Sequence, residues 1–191
     1  AELEKVMARG HTPAGTHRSI MVAEILEALA PRPGEVALDA TLGYGGHSRE
    51  LLARILPGGK LVGLDVDPLE LPRTEARLRE AGFGPEAFET RRMNFGGLPG
   101  LIPQTGPFDA VLADLGLSSM QIDNPARGFT FKAEGPLDLR LNPQKGKPAS
   151  AFLQSLAEDD LATLLAENAD EPLATPLARA LMATGHVVRA L

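Results

Sequence analysis

Apolar positions recur at helical spacing from Ser19 to Ala30, where Ile20, Met21, Ile25, Leu26 and Leu29 define one face and Ser19 is placed to cap the first turn. Pro31 and Pro33 stop that helix. Val36 to Ala40 is a short, nearly continuous apolar run that predicts a buried strand, and the glycine-rich run Gly43-Tyr-Gly-Gly46 follows it. Leu51, Leu52 and Ile55 mark a helix that ends at Pro57-Gly58-Gly59. Lys60 to Asp65 predicts a second strand, and a polar helix runs from Pro68 to about Ala81. A weaker third strand falls near Phe88 to Met93, and Phe108 to Asp114 is the clearest strand pattern of all. Residues 115–148 are rich in Gly, Pro and Asn and predict an ordered functional loop or a long linker. Helical spacing returns from Ser150, with a capping-box pair at Ser155 and Glu158 and a last helix from about Ala174 to Ala183.

Strands alternating with helices at this spacing imply parallel βαβ units with right-handed crossovers. The expected fold class is α/β: a Rossmann-like open sheet represented by its N-terminal strands, followed by a helical insertion. Residues 1–117 form the sheet part, and 118–191 a loop-rich and then helical part suited to substrate recognition.

Composition narrows the classes. Of 191 residues, 43% are apolar and 23% charged, which is ordinary for a globular chain. Glu24 and Glu27 interrupt the best candidate membrane span, and Ala1 to Gly10 lacks the apolar core of a secretory signal, so a cytoplasmic protein with no membrane contact is expected. Cysteine is absent, which excludes disulfides and thiolate metal sites. His11, His17, His47 and His186 lack ligand spacing, so no metal is expected. The net charge of −6 argues against a surface that coats nucleic acid. Its distribution is uneven. Residues 150–172 carry six acids and no base, whereas between Met120 and Lys147 five bases (Arg127, Lys132, Arg140, Lys145, Lys147) face Asp123, Glu134 and Asp138. An RNA would dock on that basic stretch in preference to the acidic one.

The chemistry concentrates at Asp39-Ala-Thr-Leu-Gly43-Tyr-Gly45-Gly46-His47-Ser48, which closes a strand and opens a helix. Glycines let a backbone approach a nucleotide-like ligand, and the helix N-terminus offers free N–H groups. Asp65 ends the second strand where an acid would accept both ribose hydroxyls. A dinucleotide fingerprint wants a third glycine where Ser48 stands, and an acid at the end of the first strand, here Asp39, suits a methyltransferase loop. S-adenosylmethionine is therefore the expected cofactor. Asp114 ends the fourth strand and opens into the same crevice, where it would hold the cofactor, accept from a substrate amine, or cap the following turn.

Three blocks together resemble the MraW-type (RsmH-like) methyltransferases that modify the exocyclic N4 of a decoding-centre cytosine in 16S rRNA. They are Asp39-x-Thr41-Leu42-Gly43-x-Gly45-Gly46-His47-Ser48; then Ala113-Asp114-Leu115-Gly116-x-Ser118-Ser119-x-Gln121; then Arg127-Gly128-Phe129-x-Phe131 with Gly135-Pro136-Leu137-Asp138-x-Arg140. The resemblance covers roughly residues 17–183. It implies cofactor contact by Gly45, Gly46, His47, Asp65, Phe95, Asp114 and Gln121, with Phe95 flanking the adenine; from the sequence alone Phe95 reads equally as a core aromatic. It also implies 16S rRNA in the small ribosomal subunit as partner. For the catalytic acceptor of the amine protons, Asp114 is the first choice and Asp138 the second.

Departures from the family pattern are Ser19 in place of a proline, Asp170-Glu171-Pro172 in place of paired glutamates and an arginine, and Pro176 at a basic position, although Arg179 persists. Members of the family continue beyond the position of Leu191 with segments that complete the sheet. The expectation is a chain cut from a longer protein, with a homodimer paired edge to edge, or cover by the helices after Ser150, as other ways to protect the fourth strand. The alternatives in function are a non-catalytic remnant that still binds the cofactor, and a methyltransferase for a different amine.

Overall fold

The computed structural model describes residues 19–183. They divide into two compact units, the first ending at Ser118 and the second beginning at Ser119.

The first unit is built on four parallel strands: β1 (Val36–Asp39), β2 (Lys60–Asp65), β3 (Phe88–Arg92) and β4 (Ala110–Leu112), in the order β3-β2-β1-β4. Around them run α1 (Val22–Leu29), α2 (Gly46–Ile55), α3 (Glu70–Glu80) and α4 (Leu98–Thr105). The registers are Ala37 with Leu61, Leu61 with Phe88, and Ala37 with Ala110. Side chains alternate across such a sheet, and both faces are apolar as parallel sheets require. Ala37, Leu61, Phe88, Ala110 and Leu112 join Leu51, Leu52 and Ile55 of α2 and Leu71 and Leu78 of α3, with Ile25, Leu26 and Leu29 of α1 packed against them. Leu38, Val62 and Leu64 point the other way, onto Leu101 of α4. Phe88 is fully buried, a contribution of about 2–3 kcal/mol from that ring alone.

The strands and most of the helices lie where the apolar pattern puts them, with four differences. The first helix starts at Val22, because Met21 adopts a left-handed backbone (φ 51°); Ser19 makes no cap, and Ile20 and Met21 are exposed. The fourth strand is three residues long, sits at an edge of the sheet, and leaves Val111 exposed. Expected as a seven-residue run, among the described residues it pairs with β1 alone and is covered on the Ala110/Leu112 face. Third, α4 lies in a stretch for which the apolar pattern names no element; Pro99 occupies its first turn, where a missing N–H costs nothing. Fourth, Ser155 donates to Phe152 O instead of forming a capping box, and Ala157 precedes the helix.

The second unit contains a one-turn helix α5 (Ser119–Ile122), a long irregular segment, then α6 (Ala149–Gln154), α7 (Glu158–Ala169) and α8 (Ala174–Ala183). Glu158, Asp159 and Asp160 lie in the first turn of α7, where the helix dipole favours negative charge. Half of the acidic run is thereby explained as local helix chemistry. Among the described residues no helix is long and apolar enough to cross a membrane, and no group of three or more His, Asp or Glu side chains could hold a metal ion. His11, His17 and His186 lie outside the described residues.

Candidate cofactor site

The site follows from strand order. Asp39 ends β1 in register with Gly63 of β2 and Leu112 of β4. Asp65 and Asp114 each stand two residues further along, one on either side of the loop that leaves β1. That loop is stitched to both neighbours. On the β2 side, the Gly43 N–H donates to Asp65 Oδ2 at 2.9 Å, and Leu42 N–H to Leu64 O at 2.8 Å. On the β4 side, the Asp114 N–H donates to Thr41 Oγ1 at 2.7 Å. Asp65 Oδ1 accepts from the Asp67 N–H at 2.9 Å, so the carboxylate is fixed in orientation while each oxygen keeps a lone pair.

Gly45, with φ 83°, turns the loop into α2. A Cβ there would lie 2.7 Å from Thr74 Cγ2 of α3, so glycine is required by backbone conformation and by space. Arg49 N–H is the first of α2 to bond back into the loop, to Gly45 O at 2.9 Å. The amides of Gly46, His47 and Ser48 ahead of it belong to the first turn and have no partner within the helix. They form the donor end that a carboxylate or phosphate can use.

Further groups support this loop, among them Thr74, Arg77 and Asp67, to which the sequence assigns no role. Ser48 Oγ donates to Asp39 Oδ2 at 2.6 Å and the Thr41 N–H donates to Asp39 Oδ1 at 3.1 Å, which locks the buried Asp39 under the loop. Burial pushes the Asp39 carboxyl above its ordinary value, against the pull of those two hydrogen bonds and of His47. The Thr74 hydroxyl donates to Gly43 O. Arg77 lies over the Tyr44 ring, 3.8 Å from its centroid, and donates to Thr74 Oγ1 at 2.6 Å. Buried Asp67 accepts from the Leu69 N–H at 2.9 Å at the start of α3. Thr74 and Arg77 are one helical turn apart, and that spacing is the only sign of them in the sequence.

Of the residues named from the sequence, Gly45, Gly46, His47, Asp65 and Asp114 belong to this cluster. Phe95 opens a 3-10 turn just past β3, which Asn94 caps by accepting from the Gly96 N–H at 2.7 Å. It is 47% exposed, so the core-aromatic reading is excluded. His47 is buried, with Nε2 3.5 Å from Asp114 Oδ2 but outside hydrogen-bonding geometry. Gln121 and Asp138 belong to the second unit. Gln121 is buried in α5. Asp138 is held by Arg140, whose Nε and Nη2 donate to its two oxygens at 2.8 and 2.6 Å, and this fork keeps the carboxyl below its ordinary value.

A parallel sheet with a glycine loop and flanking acids at its carboxyl edge defines the class, an α/β cofactor-binding domain. The chain belongs to the MraW methylase family, whose pattern matches residues 14–188. It is 54% identical over 178 residues to ribosomal RNA small subunit methyltransferase H 2 of Alkaliphilus metalliredigens, covering 93% of this chain and 51% of that protein. It is 41% identical to ribosomal RNA small subunit methyltransferase H of Thioalkalivibrio sulfidiphilus, covering 90% of this chain and 54% of that one. The chain thus spans about half the length of the curated relatives it matches. Among solved structures it is similar to an S-adenosylmethionine-dependent O-methyltransferase from Thermotoga maritima, with TM-score 0.43 and 16% identity over 60% of this chain and 41% of that one. A likeness at that level adds nothing to the family match.

Proposed function

We propose that this chain binds S-adenosylmethionine at the glycine loop and serves methyl transfer to the N4 amine of a cytosine in small-subunit ribosomal RNA, a cytoplasmic substrate. The observation that carries the reading is the pair Asp65 and Asp114 on either side of the loop, Asp65 accepting from the Gly43 N–H through its carboxylate and Asp114 donating its own N–H to Thr41 Oγ1. Both the family match and the names of the relatives support it.

The residues present suit that cofactor. Asp65 accepts the ribose hydroxyls on its remaining lone pairs, and exposed Phe95 flanks the adenine. The free amides of Gly46 and His47 receive the carboxylate of the methionine moiety. When bound, the cofactor supplies a methyl group already activated by its sulfonium, so the protein's work is alignment and exclusion of water. An exocyclic cytosine amine is a poor nucleophile because its lone pair is spread into the ring. Asp114 would accept a hydrogen bond from the amine N–H, keep electron density on nitrogen while the methyl carbon exchanges its bond to sulfur for one to nitrogen, and take up the proton that the nitrogen sheds. The Asp138–Arg140 fork serves the irregular segment of the second unit. The target base enters unpaired or extruded from its helix.

Calorimetry with S-adenosylmethionine tests the first half. Wild type binds, and Asp65→Ala weakens binding by about 2 kcal/mol through loss of charge-assisted bonds. Absence of binding by wild type at millimolar cofactor would refute the assignment. Incubation with methyl-labelled cofactor and small subunits lacking the modification tests the second half. Label on cytosine N4 is expected, and label confined to another nucleotide or to protein excludes the proposed target.

A further inference from the structure

Phe131 is the most exposed large apolar side chain among the described residues, at 80%, and it is held out by the chain around it. Thr130 beside it is buried, and its hydroxyl accepts from the Lys132 N–H at 3.1 Å, forming a tight turn across the phenylalanine. The base of the loop is packed backbone against backbone. A Cβ on Gly128 would fall 2.1 Å from Pro136 O, and one on Gly135 at 2.1 Å from Pro125 O. The guanidinium of buried Arg127 donates to the carbonyls of Arg140 and Leu141 at 3.1 and 2.8 Å, and Arg140 is committed to Asp138. Two of the five bases on this segment therefore serve the loop itself. Lys132, Lys145 and Lys147 are exposed and make no ion pair among the described residues. An aromatic ring projected into water from a stiff loop has little entropy left to lose on contact, and the unpaired lysines of the same segment, Lys132 directly beside the ring, favour a polyanion as its occupant.

We infer that Phe131 is a stacking platform for an unpaired base of the RNA substrate, with Lys132 on the adjoining phosphate. The inference rests on the proposed RNA substrate and adds the residue that engages a base outside the cofactor site. The alternative occupant, an apolar surface of a partner protein, would not call for uncompensated lysines.

The chain has no tryptophan, so Phe131→Trp introduces a single indole reporter at this position. Titration with a short single-stranded RNA is expected to quench its emission as the base stacks, with affinity within a few-fold of wild type. Phe131→Leu is expected to weaken the same RNA on the order of tenfold, with an unchanged thermal midpoint because the ring is not part of the core. Lys132→Ala is expected to reduce the slope of log affinity against log salt by about 0.7, one phosphate contact to a single strand. RNA bound equally by wild type and Phe131→Leu, with no quenching of the indole, overturns the stacking role and leaves the RNA substrate standing. No RNA binding by wild type, with cofactor binding intact, overturns both.

Discussion

The imidazole Nε2 of His47 and the carboxylate Oδ2 of Asp114 stand 3.5 Å apart, the first buried without a hydrogen-bond partner and the second half exposed. A buried polar atom left unpaired costs about 1–3 kcal/mol, so an apolar side chain of similar size would hold the fold at least as well. The unpaired Nε2 is therefore a donor or acceptor open to a ligand at this loop. His47→Leu is expected to leave the denaturant midpoint unchanged or raised, while cofactor affinity falls about tenfold, the loss of one charge-assisted contact. Unfolding in urea and calorimetry on the same sample check both parts, and a large loss of stability would mark His47 as a packing residue instead.

Gly45 and Gly82 separate two reasons for a glycine. Both have positive φ, 83° and 96°, but a Cβ on Gly45 meets Thr74 and Leu78 whereas one on Gly82 meets nothing within 4 Å. Gly82→Ala should therefore cost only backbone strain, about 1 kcal/mol. Gly45→Ala should cost about 2–3 kcal/mol and weaken the cofactor as well, because Thr74 must move and takes its bond to Gly43 with it. Chemical denaturation of the two variants side by side measures the difference, and equal costs would mean that the α3 contact yields freely.

The positions that sequence reasoning recovers are those whose signal is local. Asp39, Gly45 and Asp65 sit at ends of apolar runs, and strand ends become the site edge once the strands are parallel. Phe95 is undecided in the sequence because exposure is a tertiary property. Thr41 is quoted in the first block without a role, and Thr74 and Arg77 escape notice, because a threonine hydroxyl that holds a neighbouring segment's backbone looks like any other threonine until the strand order is known. The capping box at Ser155 fails for a related reason: the hydroxyl has a nearer acceptor in Phe152 O, a local bond that competes with the cap. The third family block, from Arg127 to Arg140, reads as chemistry in the sequence. Much of it is loop construction, since Gly128, Gly135, Arg127 and the Asp138–Arg140 fork all bind backbone or one another.

Asp39 makes a prediction with a definite sign. Burial raises its folded-state value above 3.8, so the folded chain holds the proton over a range where the unfolded chain has released it. Within that window the unfolded state binds fewer protons, and stability attributable to Asp39 falls as pH rises. Asp39→Asn cannot ionise, and its amide can still accept from Thr41 and donate to Ser48. The stability of wild type minus that of Asp39→Asn, measured by urea unfolding from pH 3 upward, is expected to decline through the window above 3.8 and then level off. A difference that rises with pH would show that the Ser48 and Thr41 bonds outweigh burial.

Asp114 and Asp138, the two acids put forward for the amine, differ in what they already do. Asp138 has both oxygens on Arg140 and a loop built around it, whereas Asp114 has its amide fixed by Thr41 and a half-exposed carboxylate with no hydrogen bond to a cation. Asp138→Asn should therefore act on structure. A double-mutant cycle with Arg140→Gln is expected to show coupling in unfolding, the two changes together costing less than the sum of their separate effects. Asp114→Asn should leave unfolding within about 0.5 kcal/mol of wild type, as a surface change away from the core does. Its effect belongs in turnover. An acceptor of the amine N–H that is lost should slow methyl transfer about 10²-fold or more, with cofactor affinity changed only a few-fold. Single-turnover transfer measured beside cofactor titration separates the two. If Asp138→Asn instead slows transfer at full stability while Asp114→Asn does not, the acceptor is Asp138, and Asp114 is left with the cofactor alone.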